Sequence, residues 1–158
     1  MNRGRSGGGG EQRCPRSAYD RVGGLVYFAR MLDKIRLHAA GRLPEAYQKN
    51  LGAGFDGRVV RFFRVEYGAL RERALQGGTD DELLQWCLEQ GRRPTEEEIL
   101  VWNAFMTKRG WRDEAEQPLN DQKAASGLSH RGELVTFFDY FDVDEGRASS
   151  SKDTERLI

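Results

Sequence analysis

Four side chains in this sequence combine types and spacing that suit anion binding or proton transfer: Arg30, Asp33, Lys34 and His38. At i, i+3, i+4 and i+8 they fall on one side of a helix. Two cations so placed can hold an anionic group through charge-assisted hydrogen bonds, while Asp33 or His38 carries a proton. The plainer expectation is a solvated helix face whose ion pairs contribute about 0.3–0.5 kcal/mol each. Mixed charge within one turn is ordinary, so the solvated face is the expected outcome. Yet the run Arg30-Met31-Leu32-Asp33-Lys34 sits among Leu, Val, Phe and Ile residues. Charges held near apolar surface must be paired, solvated or used.

Other constellations point to less. His38 and His130 are the only histidines, and no Cys or His pair has ligand spacing, so no metal and no other cofactor is expected. Asp139, Asp142 and Asp144 lack the glycine turn and terminal glutamate of a calcium loop and read as a solvated acidic run. Arg58, Arg61 and Arg64 interleave with Val59, Val60, Phe62 and Phe63. That pattern can mark a nucleic-acid binder, but the spacing of three places the arginines on the flank of a helix. With 25 basic and 25 acidic residues the chain has no global field for a polyanion. Gly23-Gly24 and Gly52-Ala53-Gly54 do not form a phosphate loop, and Ser17 has no local His and Asp to activate it. Trp86, Trp102 and Trp111 read as packing residues, with Trp111 the most exposed.

These side chains must be positioned by a single domain, since 158 residues suffice for one and not for two. Glycine-rich residues 1–14 and serine- and charge-rich residues 146–158 are expected to be disordered tails around a domain spanning 15–145. Cys14 and Cys87 give no disulfide framework. No apolar run reaches membrane-spanning length and no signal peptide is evident, so the expected compartment is the cytoplasm. Residues 30–64 carry eight Lys/Arg against Asp33, Glu45 and Asp56, whereas 133–145 carry only acidic charges. Mutual neutralisation within the fold is the expected consequence.

The periodicity is helical. Leu25, Phe28, Leu32, Ile35 and Ala39 form one stripe, and Gly41 and Pro44 end that helix. Its start is ambiguous, because Gly23-Gly24 can turn and Leu25-Val26-Tyr27-Phe28 can extend. Asp56 is a candidate N-cap for a helix through Phe63, and Tyr67 to Leu75 forms the next. Thr79 with Glu82 and Thr95 with Glu98 are capping boxes, with stops at Gly91 and Gly110. A helix around 113–126 is limited by Pro118, and Ser129 is a candidate cap for the last one, through Phe141. Six or seven short helices without a convincing strand pair define an all-α compact single domain.

Pro15-Arg16-Ser17, Gly23-Gly24, Arg30-Met31-Leu32-Asp33-Lys34, Asp56 with Phe62, Trp102, and Thr136-Phe137-Phe138-Asp139 followed by Asp142-Val143-Asp144 occur in that order. Each is weak alone, but the ordered set resembles an uncharacterised bacterial family, domain of unknown function 5069, over about residues 15–145. The resemblance implies a small, mostly helical bacterial protein and brings no activity, ligand or catalytic residue. Ala18 and Ala29 stand where the family pattern has proline. Proline fits the first turn of a helix and not its interior, so by analogy the helix begins near Ala29.

The expected function is that of a small cytoplasmic helical binding or interaction protein without catalysis. The alternative is a small enzyme or small-molecule binder acting on an anionic metabolite through the Arg30/Asp33/Lys34/His38 face. The partner is accordingly an anionic small molecule or another protein, not a membrane and not nucleic acid. A concave site receiving Arg30 and Lys34 separates the second expectation from an open convex face.

Overall fold

Glycines at Gly23 and Gly24, both with positive φ, turn the chain back on itself before the first helix begins. The computed structural model describes residues 10–148. Strands β1 (Arg21–Val22) and β2 (Leu25–Val26) pair antiparallel across that turn. Seven α-helices follow among the described residues: α1 (Phe28–Ala39), α2 (Phe55–Phe63), α3 (Tyr67–Leu75), α4 (Asp80–Gln90), α5 (Glu96–Lys108), α6 (Glu116–Ala125) and α7 (Phe137–Asp144). A 3-10 helix, Glu45–Asn50, links α1 to α2. The fold is therefore mostly helical, with one correction: the expected absence of strand pairing gives way to a two-residue hairpin. Such a hairpin is marginal alone. Here α5 covers it, with the Asn103 amide donating to Gly24 O and accepting from Val26 N–H, and Trp102 Nε1 donating to Val26 O.

α1 is the central element. Phe28, Met31, Leu32 and Ile35 enter the core, packed with Val59, Phe63, Leu70, Leu83 and Met106 from the surrounding helices. Arg30, Asp33 and Lys34 on its other side are also buried, which overturns the expected solvated face. The reason is tertiary: the segment 13–16, α2 and the end of α7 all close over that side with counter-charges. Leu25 belongs to β2 and Ala39 is exposed, so the apolar stripe is shorter than its sequence pattern.

Local signals account for several boundaries. In α4 and α5, Thr79 and Thr95 accept from the amides of Glu82 and Glu98, and both glutamates reach back to the cap amides. Each box satisfies two orphan donors. Gly91 ends α4 against α2: a Cβ there would collide with the carbonyl oxygen of Phe63, to whose oxygen Arg92 N–H donates. Two expected caps fail. Gly54, not Asp56, precedes α2, and Thr136, not Ser129, caps α7 by accepting from Asp139 N–H. The expected tails lie mostly outside the described residues. Within them, Arg13 N–H donates to Arg42 O, and the Arg147 guanidinium donates to Pro15 O, so these flanks are bound to the domain.

Candidate functional site

Two ion pairs anchor the buried side of α1. Arg30 forms a bidentate pair with Glu145, at 2.9 and 2.7 Å, and donates also to Arg16 O. Its guanidinium lies over the Phe141 ring at 4.6 Å and beside Tyr47, whose hydroxyl donates to Glu145 at 2.8 Å. The Arg147 guanidinium also donates to Glu145. Burial would raise the Glu145 carboxyl, but Arg30, Arg147 and Tyr47 together hold it below the ordinary value. Burial also works against the Arg30 charge, and Glu145 more than restores it.

One turn further along, Lys34 Nζ donates to Asp56 Oδ1 at 3.1 Å. Tyr27 Oη donates to the same oxygen at 2.7 Å, and Lys34 Nζ lies 3.5 Å from Tyr27 Oη. Asp56 is completely buried, and its other oxygen accepts from Gly52 N–H. Burial lowers the Lys34 ammonium, an effect Asp56 only partly offsets. Burial, then the Asp56 charge, pushes the Tyr27 phenol well above its ordinary value. Tyr27 adopts φ 75°, an uncommon conformation for a bulky side chain. Its ring is fixed between Phe55 and Phe138.

Arg30, Glu145, Lys34 and Tyr27 line a cleft of about 600 Å³, while fully buried Asp56 lies outside its lining and holds Lys34 from beneath the surface. The 3-10 helix, the start of α2, α6 and α7 build its walls, which include Tyr47, Phe55, Phe137, Tyr140 and Phe141. Lys49, Asp121 and Asp144 are exposed around the mouth.

The four residues singled out by spacing are thus divided. Arg30 and Lys34 reach the cleft. Asp33 faces elsewhere: it receives both Arg13 guanidinium nitrogens, at 2.7 and 2.9 Å, and Arg16 N–H, fastening the segment before β1 to α1. His38 is half-buried in the last turn of α1, outside the cleft lining. Sequence reasoning missed Tyr27, Tyr47, Asp56 and Glu145. Asp56 carried the signal of a cap, and Glu145 was one acid in a run. The complementary charges of 30–64 and 133–145 were the usable hint, and the Arg30–Glu145 pair joins them directly. Of the other acids of that run, Asp139 accepts from the Tyr19 hydroxyl, and Asp142 accepts from the Ser17 hydroxyl and from the Arg147 guanidinium.

A second concavity, about 560 Å³, lies between α2 and α5 and is lined by Arg58, Arg61, Phe62, Val101, Trp102 and Phe105. Arg58 lies over Phe105 at 4.9 Å, while Arg64 ends α2 in a left-handed conformation, so the arginine stripe is not continuous. Cys87 is a buried free thiol that burial pushes up to about 12, which leaves it inert. Among the described residues no group of His, Cys, Asp and Glu is arranged to hold a metal ion, and no helix is long and apolar enough to cross a membrane.

Fold and site together define a small helical domain with buried ion pairs beneath an aromatic-walled cleft. The chain belongs to the family described as Domain of unknown function (DUF5069), whose profile matches residues 12–147. No curated protein matches it.

Proposed function

We propose that this is a cytoplasmic, non-catalytic binding protein whose ligand is a small molecule held in the cleft above Arg30 and Lys34. One observation carries the reading: the cations of two buried ion pairs, Arg30 and Lys34, line a cleft with aromatic walls, where an apolar lining would stabilise the fold as well or better. The cations are already matched by Glu145 and Asp56, so they favour a ligand with a polar end and an apolar or aromatic body over a bare anion. An anionic metabolite is the second reading, supported by the placement of Arg30 and Lys34. It must compete with those carboxylates.

Thermal unfolding with benzyl alcohol, phenol and inorganic phosphate tests this. A ligand present at one hundred times its Kd adds about 2.7 kcal/mol to stability. Ala46→Trp, at an exposed position on the cleft wall, is expected to abolish the shift and leave the ligand-free melting temperature unchanged. Absence of any shift, or an equal shift in Ala46→Trp, overturns the proposal.

A further inference from the structure

Lys34 differs chemically from every other charge at the cleft floor. Arg30 cannot give up its proton, whereas a lysine becomes a nucleophile as soon as it does. The carboxylate that would receive that proton is 3.1 Å away on Asp56, and a phenolic donor, Tyr27, lies 3.5 Å from the same nitrogen. Three elements converge to make this arrangement: Lys34 from α1, Asp56 from the first turn of α2, and Tyr27 from the residue before α1. Tyr27 is held there by a positive-φ backbone, the kind of local strain that persists only where surrounding structure enforces it. Lys123 supplies an internal contrast. It too is buried, but its Nζ donates to the Leu134 carbonyl oxygen, which cannot accept a proton.

We propose that Lys34 captures a carbonyl compound, an aldehyde or ketone entering the cleft, as an imine. This rests on the cleft being a small-molecule site. The ammonium passes one proton to Asp56, and the amine lone pair attacks the carbonyl carbon. The carbonyl oxygen takes the Tyr27 proton, and the phenolate recovers one from the new C–N nitrogen, giving a neutral carbinolamine. Asp56 then protonates the hydroxyl, water leaves, and a protonated imine remains with Asp56 as its counter-ion. The net change is ammonium plus carbonyl to iminium plus water, with Asp56 and Tyr27 restored. Burial of Lys34 eases the first proton transfer.

The experiment treats the full chain with benzaldehyde and cyanoborohydride, which fixes imines by reduction, and maps adducts by peptide mass spectrometry. Thermal shifts with benzaldehyde and with benzyl alcohol, its carbonyl-free counterpart, run in parallel. The expected result is a saturable adduct at Lys34 that exceeds labelling of exposed Lys49 and of buried Lys123, and loses that preference in denatured protein. Tyr27→Phe is expected to slow adduct formation at Lys34 at benzaldehyde concentrations that saturate labelling of the unmodified protein. Adducts spread over the lysines, or missing from Lys34, overturn the inference. If both compounds shift melting equally without a Lys34 adduct, the cleft reading stands and the lysine chemistry falls. If neither shifts nor labels, both fall. Because selectivity is read on the unmodified sequence, the test does not depend on a Lys34 variant folding.

Discussion

α1 and α5 invert the usual relation between residue type and burial. In α1, Arg30, Asp33 and Lys34 are buried. In α5, Leu100 is 66% and Val101 58% exposed, and Phe105 lines an open groove. The two helices are similar in length, 12 and 13 residues. What separates them is their surroundings. α1 is covered on all sides from Phe28 to Ile35, so each of its buried charges has been given a partner by a different segment: Asp33 by 13–16, Lys34 by α2, Arg30 by Glu145 at the end of α7. α5 packs one side against β2 and α7, with Trp102 stacked on Phe62 of α2, and leaves Leu100 and Val101 exposed. An exposed leucine costs little, whereas an unpaired buried charge costs several kcal/mol. The structure tolerates the first in α5 and meets the second in α1 with three separate counter-charges.

That contrast makes the two helices respond differently to substitution. The largest expected effect is at Glu145. Glu145→Ala leaves the Arg30 guanidinium buried without its bidentate partner and is expected to cost about 3–5 kcal/mol in chemical denaturation. The double variant Arg30→Met, Glu145→Leu is expected to be more stable than Glu145→Ala, because no charge remains to be solvated. Equal losses in the two would show that packing, not charge, makes α1 sensitive.

Acid should reveal the same pair. The Glu145 carboxyl is held below its unfolded value, so its contribution is complete above the unfolded pKa and is lost as pH falls through the folded one. Stability measured by urea melts is expected to decline on the acid side, and less so in the Arg30→Met, Glu145→Leu protein.

Effects in α5 are smaller. Thr95→Ala removes one half of a capping box and is expected to cost about 1 kcal/mol. Leu100→Lys, on the open side, is expected to change stability by less than about 0.5 kcal/mol. A loss above 1.5 kcal/mol for Leu100→Lys in a thermal melt would mean that the exposed face of α5 is covered in solution, and would break the comparison.

Helix positions and ends were legible because they depend on neighbours in sequence. Thr79 with Glu82 and Thr95 with Glu98 rely on contacts three residues apart, and Gly110 on its own positive φ, whereas the glycine at Gly91 was legible as a stop although its close approach to Phe63 is tertiary. The cap at Thr136 was hidden because Ser129 offered the same chemistry seven residues earlier, and the packing of Phe137 and Phe138 decides between them. Of the candidate site, Arg30 and Lys34 could be singled out as charges in apolar company. Their partners lie 115 and 22 residues away, at Glu145 and Asp56, a separation no helical periodicity encodes.

By itself, then, the sequence determined a mostly helical domain, its two capping boxes at Thr79 and Thr95, and the family that the chain resembles, since all of these follow from local backbone chemistry or from ordered short motifs. Only the tertiary structure decided that the charged side of α1 is buried, that it splits between a fastening at Asp33 and a cleft at Arg30 and Lys34, and that Tyr27 joins the latter. The physical reason is that desolvation and pairing depend on what covers a side chain. For α1 the cover comes from both ends of the domain, at Arg13 and at Glu145.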